Sequence, residues 1–195
     1  MPKIKTAVFD AYNTFFTADI HIGHTFIQEL RGYANKEEMH ADLIAKWNDT
    51  VPPHGEVIIL GDISFTNTST TIEILTQLNG NLHLVLGNHD KKLANATLNI
   101  FKTVSEVKEI YIQDYESGRK TRVFMSHYSH QIWNNSHHGS YHLFGHSHNT
   151  IEGIGKSMDV GLDTHNYIPY TWEEIDKLLY PIPIHTIDHH KIRTK

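Results

Sequence analysis

No cysteine occurs among the 195 residues. That absence excludes a disulfide framework of the kind that staples small secreted domains, and with it any thiolate nucleophile or thiolate metal ligand. Long hydrophobic stretches are missing too, since no run approaches the roughly 18 apolar residues that a membrane-spanning helix needs. The amino-terminal MPKIKTAVFDAYN carries two lysines but no long apolar core and no small-residue cleavage site. A secretory signal is therefore not expected, and a cytoplasmic location is. Positive charge is in short supply: 17 lysines and arginines stand against 22 aspartates and glutamates, for a net charge of -5. Such a balance argues against a broad electrostatic grip on long nucleic acid, although bound metal ions would create a local positive site. Internal repeats, low-complexity tracts and clear linkers are also lacking, so residues 1–195 are expected to form one domain.

What the chain has in abundance is histidine, with 17 residues, as many as its lysines and arginines together. Histidine is the commonest transition-metal ligand, but surface histidines are usually inert, so position must carry the argument.

Apolar runs and their endings supply that position. AVFDAYNTFFTA reads as one or two short strands that end where Asp19 opens a polar turn. From Thr25 to Trp47, apolar residues recur at three- and four-residue steps with an interruption around Gly32 to Asn35, which predicts two helical pieces. Val51-Pro-Pro-His-Gly breaks structure, and EVIILGD reads as a buried strand running into Gly61-Asp62. Ser69 to Leu78 is expected to be a helix stopped by Asn79-Gly80, followed by a strand in LHLVLGNHD. Lys91 and Lys92 are expected to begin an exposed helix. VKEIYIQDY and KTRVFMSHYS flank Ser117-Gly118 as a hairpin, and YHLFGHSHN is a further strand. SMDVGLD and a helix from Trp172 to Leu179, closed by Pro181, complete the elements. The terminal HTIDHHKIRTK is assigned no function.

The expected strand ends at Asp19, Asp62, Asn88, His127 and His146 all carry potential metal ligands. Ligands bind at the carboxyl ends of strands in open α/β sheets, so these points are expected to meet. Asp19 and His21, two apart, would lie on one side of extended backbone and grip one ion together, as would His146 and His148.

The ordered series D19-x-H21, G61-D62, G87-N88-H89-D90, H127 and G145-H146-S147-H148 resembles the calcineurin-like metallophosphoesterase family, covering residues 19–148. His24 in DIHIGH, the EEMHADLIAKWN stretch and VGLDTHNYIP resemble its small bacterial and phage members. The resemblance implies a four-layer α/β/β/α sandwich with mixed β-sheets. It also implies one metal held by Asp19, His21, Asp62 and His148 and a second held by Asp62, Asn88, His127 and His146. Asp62 would be the bridge, His89 the general acid for the leaving oxygen, and Asp90 the group that orients His89. Mixed nitrogen and oxygen ligation suits two divalent ions, manganese first, with iron, zinc, cobalt or nickel as alternatives, and does not suit calcium.

Two ions about 3.5 to 4 Å apart would ionise a bridging water for in-line attack on phosphorus. The implied activity is hydrolysis of a small phosphoester such as a nucleotide, with diesters favoured over monoesters. A nuclease or cyclic-nucleotide phosphodiesterase with the same centre, and a noncatalytic metal-binding interaction module, are the alternatives. His24 is open between substrate phosphate and helix cap, and Arg31 between a phosphate clamp and a solvated helix residue. His137, His138 and His142 are expected at the surface or partly buried, with contact to substrate as the alternative.

Overall fold

The computed structural model describes residues 6–186; residues 187–195 of the terminal HTIDHHKIRTK lie outside them. The strands are β1 (Ala7–Asp10), β2 (Thr14–Thr17), β3 (Glu56–Ile59), β4 (Asn81–Val85), β5 (Thr103–Ser105), β6 (Val107–Gln113), β7 (Lys120–Ser126), β8 (Tyr141–Phe144), β9 (Ser157–Asp159) and β10 (Tyr170–Thr171). The helices are α1 (Thr25–Leu30), α2 (Lys36–Thr50), α3 (Thr68–Leu75), α4 (Asn95–Leu98) and α5 (Trp172–Leu179).

Two mixed five-stranded sheets result, ordered β10-β2-β3-β4-β5 and β1-β6-β7-β8-β9. In the first, β2 to β5 run parallel and β10 is antiparallel; in the second, only the β6–β7 hairpin is antiparallel. The short strands β5 and β10 and the split of AVFDAYNTFFTA between two sheets are features that hydrophobic pattern does not predict.

Alternation along the strands builds the layers. Phe16, Ile58 and Leu60 face Ile110, Val123, Met125 and Leu143 across the space between the sheets, closed at one end by Trp172, Ile175 and Leu179 of α5. Phe15, Val57, Ile59 and Leu84 point the other way and pack on Leu43 and Trp47 of α2 and Ile74 and Leu75 of α3. Each fully buried aliphatic side chain contributes about 1.5–3 kcal/mol, so a strand like β3, apolar on both faces, is held from two sides. The outer face of the second sheet is covered by the segment around Trp133 and the 3-10 turn Ser136–His138. His142 lies under that segment, fully buried, accepting from the His130 N–H and bonded to the Phe124 carbonyl. It is thus separated in role from His137 and His138, which belong to the turn.

Caps decide where the helices start. Asn35, Asn67 and Thr171 accept from backbone N–H groups of α2, α3 and α5, and Thr171 forms a reciprocal capping box with Glu174. The expected break at Gly32 to Asn35 is present, with Gly32 left-handed at φ +79°. Lys91 and Lys92 lie in a single 3-10 turn, not an extended helix. Among the described residues no helix is long and apolar enough to cross a membrane.

Candidate metal centre

Strands β2, β3 and β4 of one sheet and β7 and β8 of the other deliver their carboxyl ends to one rim. Asp19 follows β2 and donates its N–H to the Gly61 carbonyl beyond β3, at 3.0 Å. The His146 N–H beyond β8 donates to Asp19 Oδ2 at 2.9 Å, which ties the two sheets together. Glycine precedes ligands here because the approach is close. A Cβ on Gly61 would stand 2.6 Å from the Gly87 backbone and 2.7 Å from His127 Nδ1, and one on Gly87 would stand 2.3 Å from Asp62 Oδ1.

The backbone at the rim is strained. Asp19 (φ 59°), His21 (56°), Asp62 (58°), His146 (67°) and His148 (46°) are all left-handed. Each such residue costs on the order of 1 kcal/mol or more, and strain of this kind collects at functional sites. The expectation that Asp19 and His21 share a side through extended backbone is therefore corrected: they converge because both residues turn left-handed.

Two groups of ligand atoms form. In the first, Asp19, His21 and His148 each place one donor atom within 4.8 Å of the others. His21 Nε2 lies 3.2 Å from His148 Nε2 and 3.9 Å from Asp19 Oδ1. In the second, Asp62, His127 and His146 meet the same limit. Asn88 joins them with its Oδ1 3.0 Å from His127 Nε2, and Asp62 Oδ2 lies 3.5 Å from the same nitrogen. All seven residues implied as ligands are thus brought to the rim.

Neighbouring groups set the ring nitrogens. The Leu60 carbonyl takes His127 Nδ1 at 2.7 Å and Asp163 takes His148 Nδ1 at 2.7 Å, which leaves each Nε2 turned inward. Burial pushes the Asp19 carboxyl up to about 7 and the His21 imidazole down to about 3. Burial also opposes the charge of Asp62, but the hydrogen bond and charge of His127 and the His89 N–H outweigh it and hold its carboxyl below the usual range. Asp19 Oδ1 and His21 Nδ1 are buried with no hydrogen-bond partner among the described residues. A buried carboxylate oxygen without a donor is what a cation would satisfy, so the donor set fits a metal.

Other expectations shift. The Asp90 carboxylate accepts from the N–H groups of Asp62 (2.9 Å), Ile63 (2.9 Å) and Gly87 (2.8 Å), which holds the two candidate ligand loops together, and its hydrogen bonds among the described residues go to these groups and not to the His89 ring. His89 itself is 46% exposed, with Nε2 3.9 Å from Asp62 Oδ2. Arg31 is neither a solvated residue nor a phosphate clamp. Its buried guanidinium is held by both oxygens of Asp163 (2.8 and 2.9 Å) and by the carbonyls of Ile20 and Asp19. His24 caps α1, its Nδ1 accepting from the Ile27 N–H at 3.3 Å.

Sequence reasoning does not single out Asp159, Asp163, Phe65 or Tyr128. Asp159 accepts from the Ser147 hydroxyl and, at 3.2 Å, from the Asn149 N–H, holding the loop that carries His146 and His148. Phe65 packs against the rings of His21, His24 and His89, and Tyr128 against those of His127 and His146. The signal for the two aspartates was present in SMDVGLD, a further apolar run ending in acid.

Proteins of similar sequence are found in phages. The chain is 34% identical to the Gene 66 protein of Mycobacterium phage L5, over 71% of this chain and 79% of that one. It is 29% identical to the Gene 66 protein of Mycobacterium phage D29, over 80% of this chain and 92% of that one. Among solved structures it resembles a protein of unknown function, AQ665 from Aquifex aeolicus, with TM-score 0.64 and 22% identity over 85% of this chain and 98% of that one. The model of the family described as calcineurin-like phosphoesterase matches residues 12–190. The chain that bends five candidate ligand residues into left-handed backbone at this rim belongs to the calcineurin-like phosphoesterases.

Proposed function

We propose that this protein is a phosphoesterase dependent on two divalent metal ions, acting on small phosphoesters such as nucleotides and favouring diesters over monoesters. The observation that carries the reading is the pairing of two ligand groups on one rim, with a buried, unpartnered Asp19 oxygen in the first. Asp19, His21, Asp62 and His148 would hold one ion, and Asp62, Asn88, His127 and His146 the other, with the Asp62 carboxylate between them. When bound, such a pair supplies a water ionised near neutral pH and positive charge for the nonbridging phosphate oxygens. Nitrogen and oxygen donors without a thiolate put manganese first, ahead of iron, zinc, cobalt and nickel.

The remaining work falls to the chain's own residues. Leu60 and Asp163 fix the imidazoles of His127 and His148, Asp90 holds the loops in register, and exposed His89 is the general acid for the departing oxygen. A diester carries one negative charge fewer than a monoester, and the Arg31 guanidinium is committed to Asp163, out of reach of a second phosphate charge. Residues 1–195 are read as one catalytic domain, working in the cytoplasm.

The test is a panel of bis-p-nitrophenyl phosphate, p-nitrophenyl phosphate, 2′,3′-cyclic nucleotides and single-stranded DNA under several metals, run on wild type and Asp62→Asn. The amide keeps an oxygen for the His89 N–H, so circular dichroism should be unchanged while turnover falls by several orders of magnitude. Full activity in Asp62→Asn would remove the two-metal reading, and a lack of hydrolysis in every wild-type assay would leave a noncatalytic module.

A further inference from the structure

A recess of about 260 Å³ opens beside the candidate metal centre, bounded by residues from Ser64 to Thr71 and from His89 to Thr97. It shares His89 with the rim, so a group seated in it is next to the residue proposed to protonate the departing oxygen. Its lining is rich in hydroxyls. Those of Ser64 and Thr71 bond each other at 2.6 Å, and Thr71 also donates to the Asn67 carbonyl at 2.9 Å, while the Thr97 hydroxyl is buried behind the wall.

Two further features narrow the ligand. Phe65 is 37% exposed, its ring braced by His24 at 4.1 Å and His89 at 4.5 Å, and it gives the recess a flat apolar wall on which a planar ring stacks. Lys92, exposed on the other wall, makes no ion pair among the described residues and suits a neighbouring phosphate. The volume falls just below the roughly 300 Å³ at which pockets for whole small ligands begin, which admits one nucleoside-sized unit and no folded strand.

We infer that this recess is the subsite for the ester group leaving the phosphate, and that the group is a nucleoside, its base against Phe65. The inference rests on the phosphoesterase reading above. Hydrolysis forms a bond from water oxygen to phosphorus and breaks the bond from phosphorus to the nucleoside oxygen. That oxygen takes the proton from the His89 imidazole, and the water's proton passes to solvent.

Ala94 lines the recess from an exposed position at the start of α4, so Ala94→Trp blocks it from the rim without touching the core. The first readout needs neither metal nor turnover: adenosine is titrated into the labelled protein and amide resonances are followed. Shifts at Phe65, Thr71 and Thr97 in wild type, lost in Ala94→Trp, are expected. The second is the ratio of kcat/KM for 2′,3′-cyclic AMP to that for bis-p-nitrophenyl phosphate. It should fall at least tenfold in Ala94→Trp and severalfold in Lys92→Ala, which also serves should the tryptophan disturb folding. A dinucleotide run beside the cyclic mononucleotide separates the end of a strand from a free nucleotide as the source. Ester hydrolysis with no adenosine shifts, or with an unchanged ratio, overturns the subsite and leaves the phosphoesterase standing. Adenosine shifts in a protein that hydrolyses no ester support the nucleoside recess and overturn the phosphoesterase.

Discussion

His21 and His148, 127 residues apart in sequence, place their Nε2 atoms 3.2 Å from each other with the rings stacked 16° from parallel. Two lone pairs at that distance repel unless a proton or a metal ion lies between them. The hydrogen bond to Asp163 raises the pKa of His148, while burial and the neighbouring His148 lower that of His21 to about 3. A metal ion would compete with protons for these nitrogens. Titration calorimetry of Mn(II) in buffers of different ionisation enthalpy should show proton release, with affinity weakening as pH falls. Metal at a hundred times its Kd should add about 2.7 kcal/mol to stability, read as a rise in Tm. His148→Ala should lose both effects, and a Tm indifferent to metal in wild type would contradict the assignment.

Asp163 joins that centre to Arg31. Burial works against its charge, but the hydrogen bonds from Arg31 and His148 prevail and hold its carboxyl well below the usual range. Asp163→Asn leaves the Arg31 guanidinium buried against a neutral amide, a change expected to cost about 3–5 kcal/mol in urea unfolding. Metal affinity should also drop by about 10- to 100-fold, because the His148 ring loses its anchor. The sign with pH follows from the depressed value. The stabilisation is present above the unfolded carboxyl pKa of about 4 and is lost as pH falls through the folded one. Wild type and variant should therefore converge in stability in strong acid, and a constant gap would exclude the ionised pair as its source.

Asp90 tests whether the two ligand loops depend on one carboxylate. Three backbone N–H groups donate to it from both loops. Bonds to a charged acceptor are worth about 1.5–3 kcal/mol each, so Asp90→Ala should destabilise by several kcal/mol and loosen Asp62 and Asn88 together. Asp90→Asn keeps one acceptor oxygen and should fall between. If Asp90 acted on His89 instead, both variants would lose activity at unchanged stability, which thermal unfolding beside the ester assay distinguishes.

These relationships divide what the chain discloses in one dimension from what it does not. EVIILGD and LHLVLGNHD are legible because apolar runs end in glycine and a ligand, and the glycines are required by contacts as close as 2.3 Å. The meeting of Asp19, Asp62, Asn88, His127 and His146 is legible because parallel strands align their carboxyl ends. The left-handed turns at Asp19 and His21 are not, since a two-residue period suggests extended backbone and nothing in D-x-H marks a positive φ. Arg31 and Asp163 are 132 positions apart, and a buried ion pair of that reach has no local pattern. Strands β5 and β10 are three and two residues long, too short to show a period.

His89 carries the last expectation. Its N–H donates to Asp62 Oδ1 at 3.1 Å, so the backbone supports the candidate metal centre, while the side chain is 46% exposed and lines the recess. His89→Ala keeps the backbone contact and removes only the imidazole. Metal content, measured by elemental analysis, should stay at the wild-type value. A positioned acid contributes about 10²–10⁴ in rate, and the need for it grows with the basicity of the leaving oxygen. Turnover of an alkyl or nucleoside ester should therefore fall by that factor. Turnover of a p-nitrophenyl ester, whose leaving group departs as a stable anion, should fall far less. An equal loss across a series of phenols of graded pKa would assign the imidazole to phosphate binding, because a bound phosphate is the same in every ester while the departing oxygen is not.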